Sequence, residues 1–461
     1  MSPDKGLSSR NKGSPDHAGP GAGAAAGIDV LVVGAGPAGV GAAVEAARRG
    51  ARVLLVEQRP HAGGAIHRAA HDGGPSAVPM PARHKRNWAR LLRELDAFSA
   101  RIRLLTSAVF LGIDGDGVCM IDSRADGPVK LVRARAIIYA IGATERAPHI
   151  PGWELPGVVT AGGLQVQMKE SGQAPRGRIL VAGNGPLPLA LGAQLAALGN
   201  APVAVLEAAD PYRGLWRRPA AALGLAAGPK QLIEAAGYFR QLRPARVPYV
   251  TATTVSTVSR QDDGLRVRTV GPRGDARDYL VDLLVLHAGL ACNDRGIPSG
   301  DVHGVIVAKA GDCNRVLGAD AAPGEGRRVA AMVMARLDGA PSSPADRPLP
   351  WGIRAAAVFQ ASLRRLFASA RPPMDMDTIL CRCEGVTARD LTVRDLRSAR
   401  EIRLVGRVGM GLCQGRYCAH AATMAADGDA GALTLADIDG PIPRWPIRPV
   451  SVKALADAQE L

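Results

Sequence analysis

Aromatic residues are scarce in this chain, and several other features are missing altogether. Phe, Trp and Tyr make up 3% of its 461 residues. No run of about 18 uninterrupted apolar residues occurs, so the sequence predicts no membrane span. The first 27 residues are rich in Gly, Pro and Ser and lack the apolar stretch of a secretory signal. We therefore expect a disordered leader over 1–27 and a protein that is either free in the cytoplasm or peripheral at the inner membrane.

Acidic residues are outnumbered, with 42 Asp and Glu against 57 Lys and Arg, which gives a formal net charge of +15. Such a charge can indicate nucleic acid, an anionic membrane surface or an acidic partner. The basic residues are mostly scattered arginines, and the short clusters at 83–86 and 240–246 contain no aromatic residue. This pattern is typical of solvated arginine faces and excludes a nucleic-acid site from the prediction, whereas an acidic partner or substrate stays open.

Cysteines are few, and their number is odd. Seven cysteines without an export signal favour reduced thiols or metal ligands over a disulfide framework. Cys119, Cys292 and Cys313 are isolated in the sequence, and we expect them to be small buried apolar side chains.

A dinucleotide-binding pattern fills residues 28–57. An apolar run at 28–33 predicts a buried parallel strand, a G-x-G-x-x-G motif and an Ala-rich helix follow, and a second strand at 52–56 ends at an acid. In this motif the glycines allow a tight turn, close approach to a pyrophosphate and close helix packing, and the acid binds an adenosine ribose. The residues predicted to line the site are Gly34, Gly36, Pro37, Ala38, Gly39 and Glu57.

A second pattern of this kind lies at 178–207, and it is incomplete. Gly183 and Gly185 follow a predicted strand and Glu207 ends the next one, but Pro188 stands where the third glycine is expected. Proline is tolerated in the first turn of a helix, yet its ring opposes close packing. Glu207 also disfavours the 2′-phosphate of NADPH. The sequence predicts a Rossmann-like unit whose NAD(P) site is vestigial or occupied differently.

Four cysteines near the C-terminus form two pairs. Cys381 and Cys383 belong to "CRC", and Cys413 and Cys418 belong to "GMGLCQGRYC". Four thiolates suit Zn2+ or a 2Fe-2S cluster, and the C-x-C spacing favours the cluster because structural zinc usually takes C-x2-4-C pairs. Thr387-x-x-Asp390 predicts a capped helix just after the first pair, where free N–H groups stabilise thiolates.

Three further segments resemble the flavoproteins that carry two dinucleotide-binding domains. They are "QRPHAGGAIHR", "YAIGATERAPHIPGWELPGVVTAGG" and "GVIVAKAGDCNRVLG". The resemblance implies FAD at the first site, with Gly64, Gly142, Gly311 and Asp312 among its binding residues. Because these residues flank the second pattern, the FAD domain is expected to be discontinuous.

The cysteine-rich C-terminus is similar to the bacterioferritin-associated-ferredoxin-like 2Fe-2S domain. Joined to such a flavoprotein, it resembles the A (alpha) subunits of opine oxidases, D-hydroxyproline dehydrogenases and hydrogen cyanide synthase. The resemblance implies a partner B subunit, similar to D-amino-acid oxidase, that oxidises the C–N bond of an amine, imino acid or opine. This chain would then carry FAD and a 2Fe-2S cluster and pass electrons to an acceptor such as a quinone or a cytochrome.

The expected fold class is α/β, with two Rossmann-like dinucleotide-binding domains in a glutathione-reductase-like arrangement and a small helical 2Fe-2S domain. We predict a discontinuous FAD domain, an inserted NAD(P)-binding-like domain, a linker, the 2Fe-2S domain and a tail. The FAD domain is expected over 28–165 and 295–340, and the inserted NAD(P)-binding-like domain over 175–292. The linker is expected over 341–376, the 2Fe-2S domain over 377–430 and the tail over 431–461.

Two other functions stay open at this point. The chain could be a self-sufficient NAD(P)H-dependent flavin or ferredoxin-type reductase, which would use the second site as a true nicotinamide site. It could also be a non-catalytic redox adaptor with a basic binding surface. The sequence contains no convincing set of catalytic acid, base and nucleophile, so no catalytic residue is predicted.

Overall fold

A computed structural model describes residues 27–123, 127–298, 300–340, 349–369, 374–394, 396, 398–426 and 446–461. Most of the predicted leader and the 427–445 part of the C-terminal region lie outside these ranges. Within them no helix is both long and apolar enough to cross a membrane.

The strands in chain order are β1 (Ile28–Val33), β2 (Val53–Val56), β3 (Ile102–Leu105), β4 (Ala108–Ile113), β5 (Val118–Ser123), β6 (Lys130–Tyr139), β7 (Ala143–Glu145), β8 (Val158–Thr160), β9 (Ile179–Gly183), β10 (Ala204–Glu207), β11 (Tyr249–Val250), β12 (Thr254–Gln261), β13 (Gly264–Val270), β14 (Ala276–Val281), β15 (Leu283–His287), β16 (Leu290–Cys292), β17 (Ile306–Lys309), β18 (Ile379–Cys381), β19 (Val386–Thr387) and β20 (Gln459–Glu460).

The helices are α1 (Pro37–Arg48), α2 (Ala82–Ala97), α3 (Ala161–Ser171), α4 (Pro186–Ala197), α5 (Pro211–Arg217), α6 (Pro219–Gly224), α7 (Pro229–Leu242), α8 (Ala322–Leu337), α9 (Trp351–Leu366), α10 (Ala388–Val393), α11 (Ala399–Leu404), α12 (Ala419–Ala426) and α13 (Val452–Ala456). Short 3-10 turns cover Leu225–Ala227 and Gly311–Cys313.

The first sheet has the order β3-β2-β1-β6-β5-β4, and β17 and β20 also pair with β6. Strands β1, β2, β3 and β17 are parallel to β6, whereas β5 is antiparallel to it. The apolar run of β1 is buried on both faces because α1 and α8 cover one side and β4 to β6 fold over the other. The late segment 306–313 therefore returns to the sheet of the first motif, as predicted for a discontinuous domain.

The second sheet is wholly parallel, with the order β11-β10-β9-β15-β8. A three-stranded antiparallel sheet, β12-β13-β14, is inserted between β11 and β15. The α/β fold with two Rossmann-like units is thus confirmed. The second unit begins earlier than the predicted bounds, because Val158–Thr160 pairs with β15 and α3 packs on the same sheet.

Two segments have more structure than their sequence indicated. The predicted linker contains α9, a 16-residue helix. The end of the predicted tail joins the first sheet, where Gln459–Glu460 pairs with Lys130–Leu131.

The cysteine-rich segment folds as a hairpin, β18-β19, followed by α10, α11 and α12 around a small apolar core. Thr387 accepts from the N–H of Asp390, and the Asp390 side chain accepts from the N–H of Thr387. The predicted capping box is therefore confirmed.

Candidate functional site

The first glycine loop follows β1 and closes tightly on β6 and α1. Gly34 has φ +100°, and a Cβ on it would lie 2.7 Å from the carbonyl oxygen of Ala140. A Cβ on Gly39 would lie 1.8 Å from the carbonyl oxygen of Gly34. Helix α1 begins at Pro37, whose missing N–H is one that the first turn does not need. Only glycine fits at Gly34 and Gly39, for the reasons that the motif predicted.

Glu57 holds this loop from the end of β2. Its Oε2 accepts a hydrogen bond from the N–H of Ala35 at 2.9 Å, and its Oε1 accepts one from the N–H of Arg59 at 3.0 Å. The carboxyl group is buried. Gly64 approaches the same loop, since a Cβ on it would lie 3.2 Å from the Cα of Gly36. The two glycines leave a bare backbone cradle of the kind a pyrophosphate needs.

The late motif packs on the start of α1. A Cβ on Gly311 would lie 2.5 Å from the Cβ of Ala38. The Oδ1 of Asp312 accepts hydrogen bonds from the N–H groups of Leu317 and Gly318 at 2.9 and 3.1 Å. Burial raises the pKa of Asp312. Gly142, with φ +73°, follows the end of β6 beside the first loop. The structure thus brings the ten predicted cofactor-binding residues to one edge of the first sheet, and their donors, glycine turns and acids fit a dinucleotide.

Asn293 is a residue of this site that the sequence did not reveal. Its N–H donates to the carbonyl of Gly142 at 3.1 Å, and its Nδ2 donates to the carbonyl of Ile141 at 3.2 Å. The main-chain carbonyl oxygen of Asn293 accepts a hydrogen bond from the Cys313 thiol at 3.5 Å. The Oδ1 atom is buried and has no partner within the described residues. Asn293 therefore ties the Gly142 turn to the late motif and keeps one acceptor atom unused.

Lys169 on α3 is a second residue without a sequence signal. Its Nζ donates to the carbonyls of Ala65 and Ile66 at 2.9 and 3.1 Å and to Oε1 of Gln165 at 3.2 Å. The side chain is fully buried, and burial lowers its pKa to about 8. Lys169 thereby fixes the loop that contains Gly64 from the second unit.

The second glycine loop packs tightly against the end of β15. A Cβ on Gly183 would lie 2.5 Å from the carbonyl oxygen of His287, and Gly185 has φ +91°. Glu207 accepts from the N–H groups of Gly185 and Ala209 at 2.8 and 2.9 Å. Burial raises the pKa of Glu207 to about 8. Pro188 lies in the first turn of α4 and offers no N–H to a phosphate.

The chain's own backbone lies against this second loop. Nδ2 of Asn184 donates to the carbonyl of Phe367 at 2.5 Å and to Oγ of Ser369 at 3.3 Å. The guanidinium of Arg218 donates to the carbonyl of Arg365. These carbonyls belong to the C-terminal end of α9, the negative end of its dipole. These contacts hold the end of α9 against the second loop.

A buried pair lies between the two units. Nδ1 of His287 is 2.6 Å from Oε1 of Glu145, and both side chains are buried. Oε2 of Glu145 accepts from the N–H of Gly162 at the start of α3. Although burial opposes it, the hydrogen bond to His287 lowers the pKa of Glu145. The pair links β7, the end of β15 and α3, and no sequence pattern singles it out.

The four paired cysteines are neighbours in the folded domain. Hydrogen bonding to Cys418 lowers the pKa of Cys381 to about 6 and that of Cys413 to about 5. The same two contacts raise the pKa of Cys418. The side chain of Cys383 also hydrogen bonds to that of Cys413. Across the described ranges no set of three or more His, Cys, Asp or Glu side chains is spaced as a metal site.

Backbone N–H groups surround these sulfur atoms. Those of Gly409, Glu384 and Cys383 donate to Cys381, and those of Tyr417 and Gly415 donate to Cys413. A Cβ on Gly411 would lie 2.2 Å from the Cβ of Cys383. Four thiols with several N–H donors and a glycine-rich loop are a donor set that fits an iron-sulfur cluster.

The cysteine domain contacts both dinucleotide-binding units. Nε1 of Trp153 donates to the carbonyl of Ile379 at 2.7 Å. Nη1 of Arg295 donates to the carbonyl of Gly415, between Cys413 and Cys418, at 3.1 Å. Arg295 is two residues beyond Asn293, so a short segment connects the first dinucleotide site with the cysteine loop.

Comparison with known proteins agrees with this architecture. A family model described as pyridine nucleotide-disulphide oxidoreductase matches residues 28–312. The A subunit of the opine oxidase of Rhizobium meliloti (strain 1021) is 31% identical over 474 residues, which cover 94% of this chain and 99% of that protein. The HcnB subunit of the hydrogen cyanide synthase of Pseudomonas aeruginosa is 28% identical over 461 residues, covering 92% of this chain and 97% of that protein.

Among solved structures, L-proline dehydrogenase from P. horikoshii matches with a TM-score of 0.54 at 18% sequence identity. The match covers 93% of this chain and 79% of that one. At this identity the match establishes the shared fold.

Proposed function

The chain belongs to the pyridine nucleotide-disulphide oxidoreductase family and is a homologue of the A subunit of opine oxidase, and on that premise we propose that it is an electron-transfer subunit carrying FAD and a 2Fe-2S cluster. It works in a heteromeric enzyme, together with a D-amino-acid-oxidase-like flavoprotein that oxidises the C–N bond of an amine, imino acid or opine. The observation that carries the proposal is the direct connection of the first dinucleotide site to the cysteine loop through residues 293–295.

We assign FAD to the first site, and the family and the geometry of the loop support this assignment. Gly34, Gly36 and Gly39 form the turn that would hold the pyrophosphate, and Glu57 and Asp312 are the acids that would lie beside the cofactor. The unused Oδ1 of Asn293 is available to a donor of the cofactor. When bound, FAD takes up two electrons together and releases them singly, which suits delivery to a one-electron carrier.

The cluster is assigned to Cys381, Cys383, Cys413 and Cys418. The N–H groups around Cys381 and Cys413, among them those of Gly409 and Gly415, would stabilise negative charge on the sulfur atoms of the cluster. Arg295 brings a positive charge to the same loop through its contact with Gly415. The role of this chain is to hold a net-negative group close to the first site.

The second loop does not take part in hydride delivery in this proposal. Asn184 is bonded to the α9 terminus, and Pro188 lacks the N–H of a phosphate-binding turn. Electrons therefore enter the chain from a partner protein rather than from NAD(P)H. The relatives are named as subunits of an opine oxidase and of hydrogen cyanide synthase, which supports a multi-subunit enzyme that acts on a nitrogen-bearing substrate.

The cluster assignment is tested by Cys413→Ser in the full chain, purified without oxygen. We expect loss of the visible absorption of the cluster and retention of FAD, since Cys413 lies outside the first site. Cys292→Ser is the matched control, because Cys292 is a partly buried cysteine without a pair partner in sequence. Equal spectra for the parent and Cys413→Ser would remove Cys413 from the ligand set.

A further inference from the structure

Helix α9 and the helices at 211–228 form a separate cluster on the second unit. Glycines bring the backbones together, because a Cβ at each position would clash with or touch α9. The pairs are Gly228 with the ring of Phe359 at 2.3 Å, Gly224 with Oγ of Ser362 at 2.1 Å, and Gly214 with the carbonyl oxygen of Leu366 at 3.2 Å. Helices α5 and α6 therefore run along α9 in the opposite direction.

The outer side of this cluster carries large apolar side chains. Trp351 and Val358 are two turns apart on α9 and so share one face. Trp351 is 84% exposed, and Leu223, beside Val358, is 77% exposed. At the other end of α9, next to the Arg218 contact with Arg365, Trp216 is 89% exposed. These side chains follow α9 over about 20 Å.

The charge of the same cluster has a single sign. Residues 211–228 contain three cationic side chains and no Asp or Glu, and residues 349–369 contain three and no Asp or Glu. These 39 residues thus hold six positive charges of a chain whose net charge is +15. Arg354 shares the exposed stripe of α9 with Trp351, and Arg217 follows Trp216 directly. A tryptophan with an adjacent arginine therefore lies at each end of this face.

We propose that this face, defined by Trp216, Leu223, Trp351 and Val358 with Arg217 and Arg354, binds an anionic lipid surface. Cationic residues gain from the negative potential of such a surface, and tryptophan favours the boundary between headgroups and acyl chains. Trp216, Leu223 and Trp351 are 89%, 77% and 84% exposed on three different helices, and Val358 is 49% exposed. A fluid lipid interface accommodates projecting tryptophans together with the cationic side chains beside them.

The lipid-binding face does not depend on the cofactors. Lipid binding would place the electron-transfer chain beside membrane-bound acceptors, but attachment to vesicles can be measured alone. Failure to attach would leave the assignment of FAD and the cluster untouched.

Sedimentation of the full chain with vesicles tests the proposal. Vesicles of phosphatidylcholine and phosphatidylglycerol in a ratio of about 3:1 should retain the chain at least about tenfold more strongly than phosphatidylcholine alone. The double variant Trp216→Ala/Trp351→Ala should weaken binding about tenfold or more. A matched pair of variants tests the apolar side chains. Leu223→Ala should weaken binding, whereas Val452→Ala should not, because Val452 is 82% exposed on α13, away from this face.

The charge requirement has its own matched pair. Arg217→Glu/Arg354→Glu should abolish binding, while Arg103→Glu/Arg266→Glu changes the net charge equally on exposed strands elsewhere and should retain most of it. In addition, the Trp216→Phe/Trp351→Phe variant should still sediment but lose the blue shift of tryptophan fluorescence on binding. A chain that stays in the supernatant with both vesicle types overturns the proposal. Equal losses for the two charge pairs also overturn it, because they would indicate unspecific attraction by the net charge.

Discussion

The loop after β1 and the loop after β9 are built from the same parts but end in different states. In each, a helix begins with proline, and an acid accepts a hydrogen bond from a loop N–H 22 residues earlier in the chain. The Arg59 N–H donates to Glu57, and the guanidinium of Arg68 lies near the Glu57 carboxyl group. Burial raises the pKa of Glu207. The side chain of Asn184, beside Glu207, hydrogen bonds to Phe367 and Ser369.

The comparison of the two loops shows which function of a loop the glycine motif indicates. The glycines and the acid close the turn and hold it to the sheet, and both loops need them for that reason alone. Nucleotide binding requires in addition free N–H groups and open space above the helix start. In the second loop the Asn184 side chain is bonded to Phe367 and Ser369 at the end of α9, so this loop also holds the segment that leads to the cysteine domain.

The largest expected effect comes from adding one methyl group to each loop. Gly36→Ala should reduce FAD affinity by about a hundredfold, because the methyl group occupies the approach of the pyrophosphate. The fold should survive, since the new Cβ would be 3.6 Å from the nearest atom and φ is −75°. Gly185→Ala is the control in the second loop: the φ of +91° strains the new side chain locally, but the first site is untouched and FAD should be retained. FAD content and urea unfolding measure both, and equal FAD loss in the two variants would contradict the assignment.

An intermediate effect is expected when the second loop is opened. The parent chain should show no NADH binding below about 1 mM, and NADH should not bleach its flavin. Asn184→Ala/Pro188→Gly removes the contact with Phe367 and restores an N–H, which should tighten NADH binding about tenfold. NADH fluorescence provides the measurement, with Asn200→Ala, whose Nδ2 donates to Pro175 and Gly177 away from the loop, as the control. Micromolar binding of NADH by the parent would instead favour a self-sufficient reductase.

The smallest effect concerns the buried acid of the second loop. Unfolding shifts the pKa of Glu207 from about 8 to its usual 4.5. Between these values the unfolded chain loses the proton while the folded chain keeps it, so the free energy of unfolding falls as the pH rises. Relative to the parent, Glu207→Gln should therefore gain stability as the pH rises from about 5 to about 8. Urea unfolding at the two pH values measures the gain.

The exposed Glu460→Gln should show no such trend and serves as the control. A parallel pH dependence of the parent and Glu207→Gln would mean that Glu207 is ionised in the folded chain.

Local patterns predicted the geometry of the first glycine loop and one helix cap. The motif at Gly34–Gly39, the acid at the end of β2 and the Thr387 capping box each depend on residues close in sequence, where spacing determines geometry. The resemblance to two-domain flavoproteins added Gly311 and Asp312, which pack on Ala38 as a discontinuous domain requires.

Contacts between distant segments could not be predicted in this way. Lys169, Asn293 and the contact of Asn184 with Phe367 join parts of the chain that are about 100 to 180 residues apart. No periodicity or spacing records such pairs, because each depends on how two units pack. For the same reason the sequence does not predict the sheet partners of β8 and β20, or the helix α9 within the expected linker.

The composition of the full chain, purified without oxygen, tests the central claim most directly. We predict about one FAD, two iron and two acid-labile sulfide per chain, with no stoichiometric zinc. Stoichiometric zinc without sulfide would contradict this prediction, because the four cysteines would then form a structural site and the path from the first loop would have no electron carrier at its end.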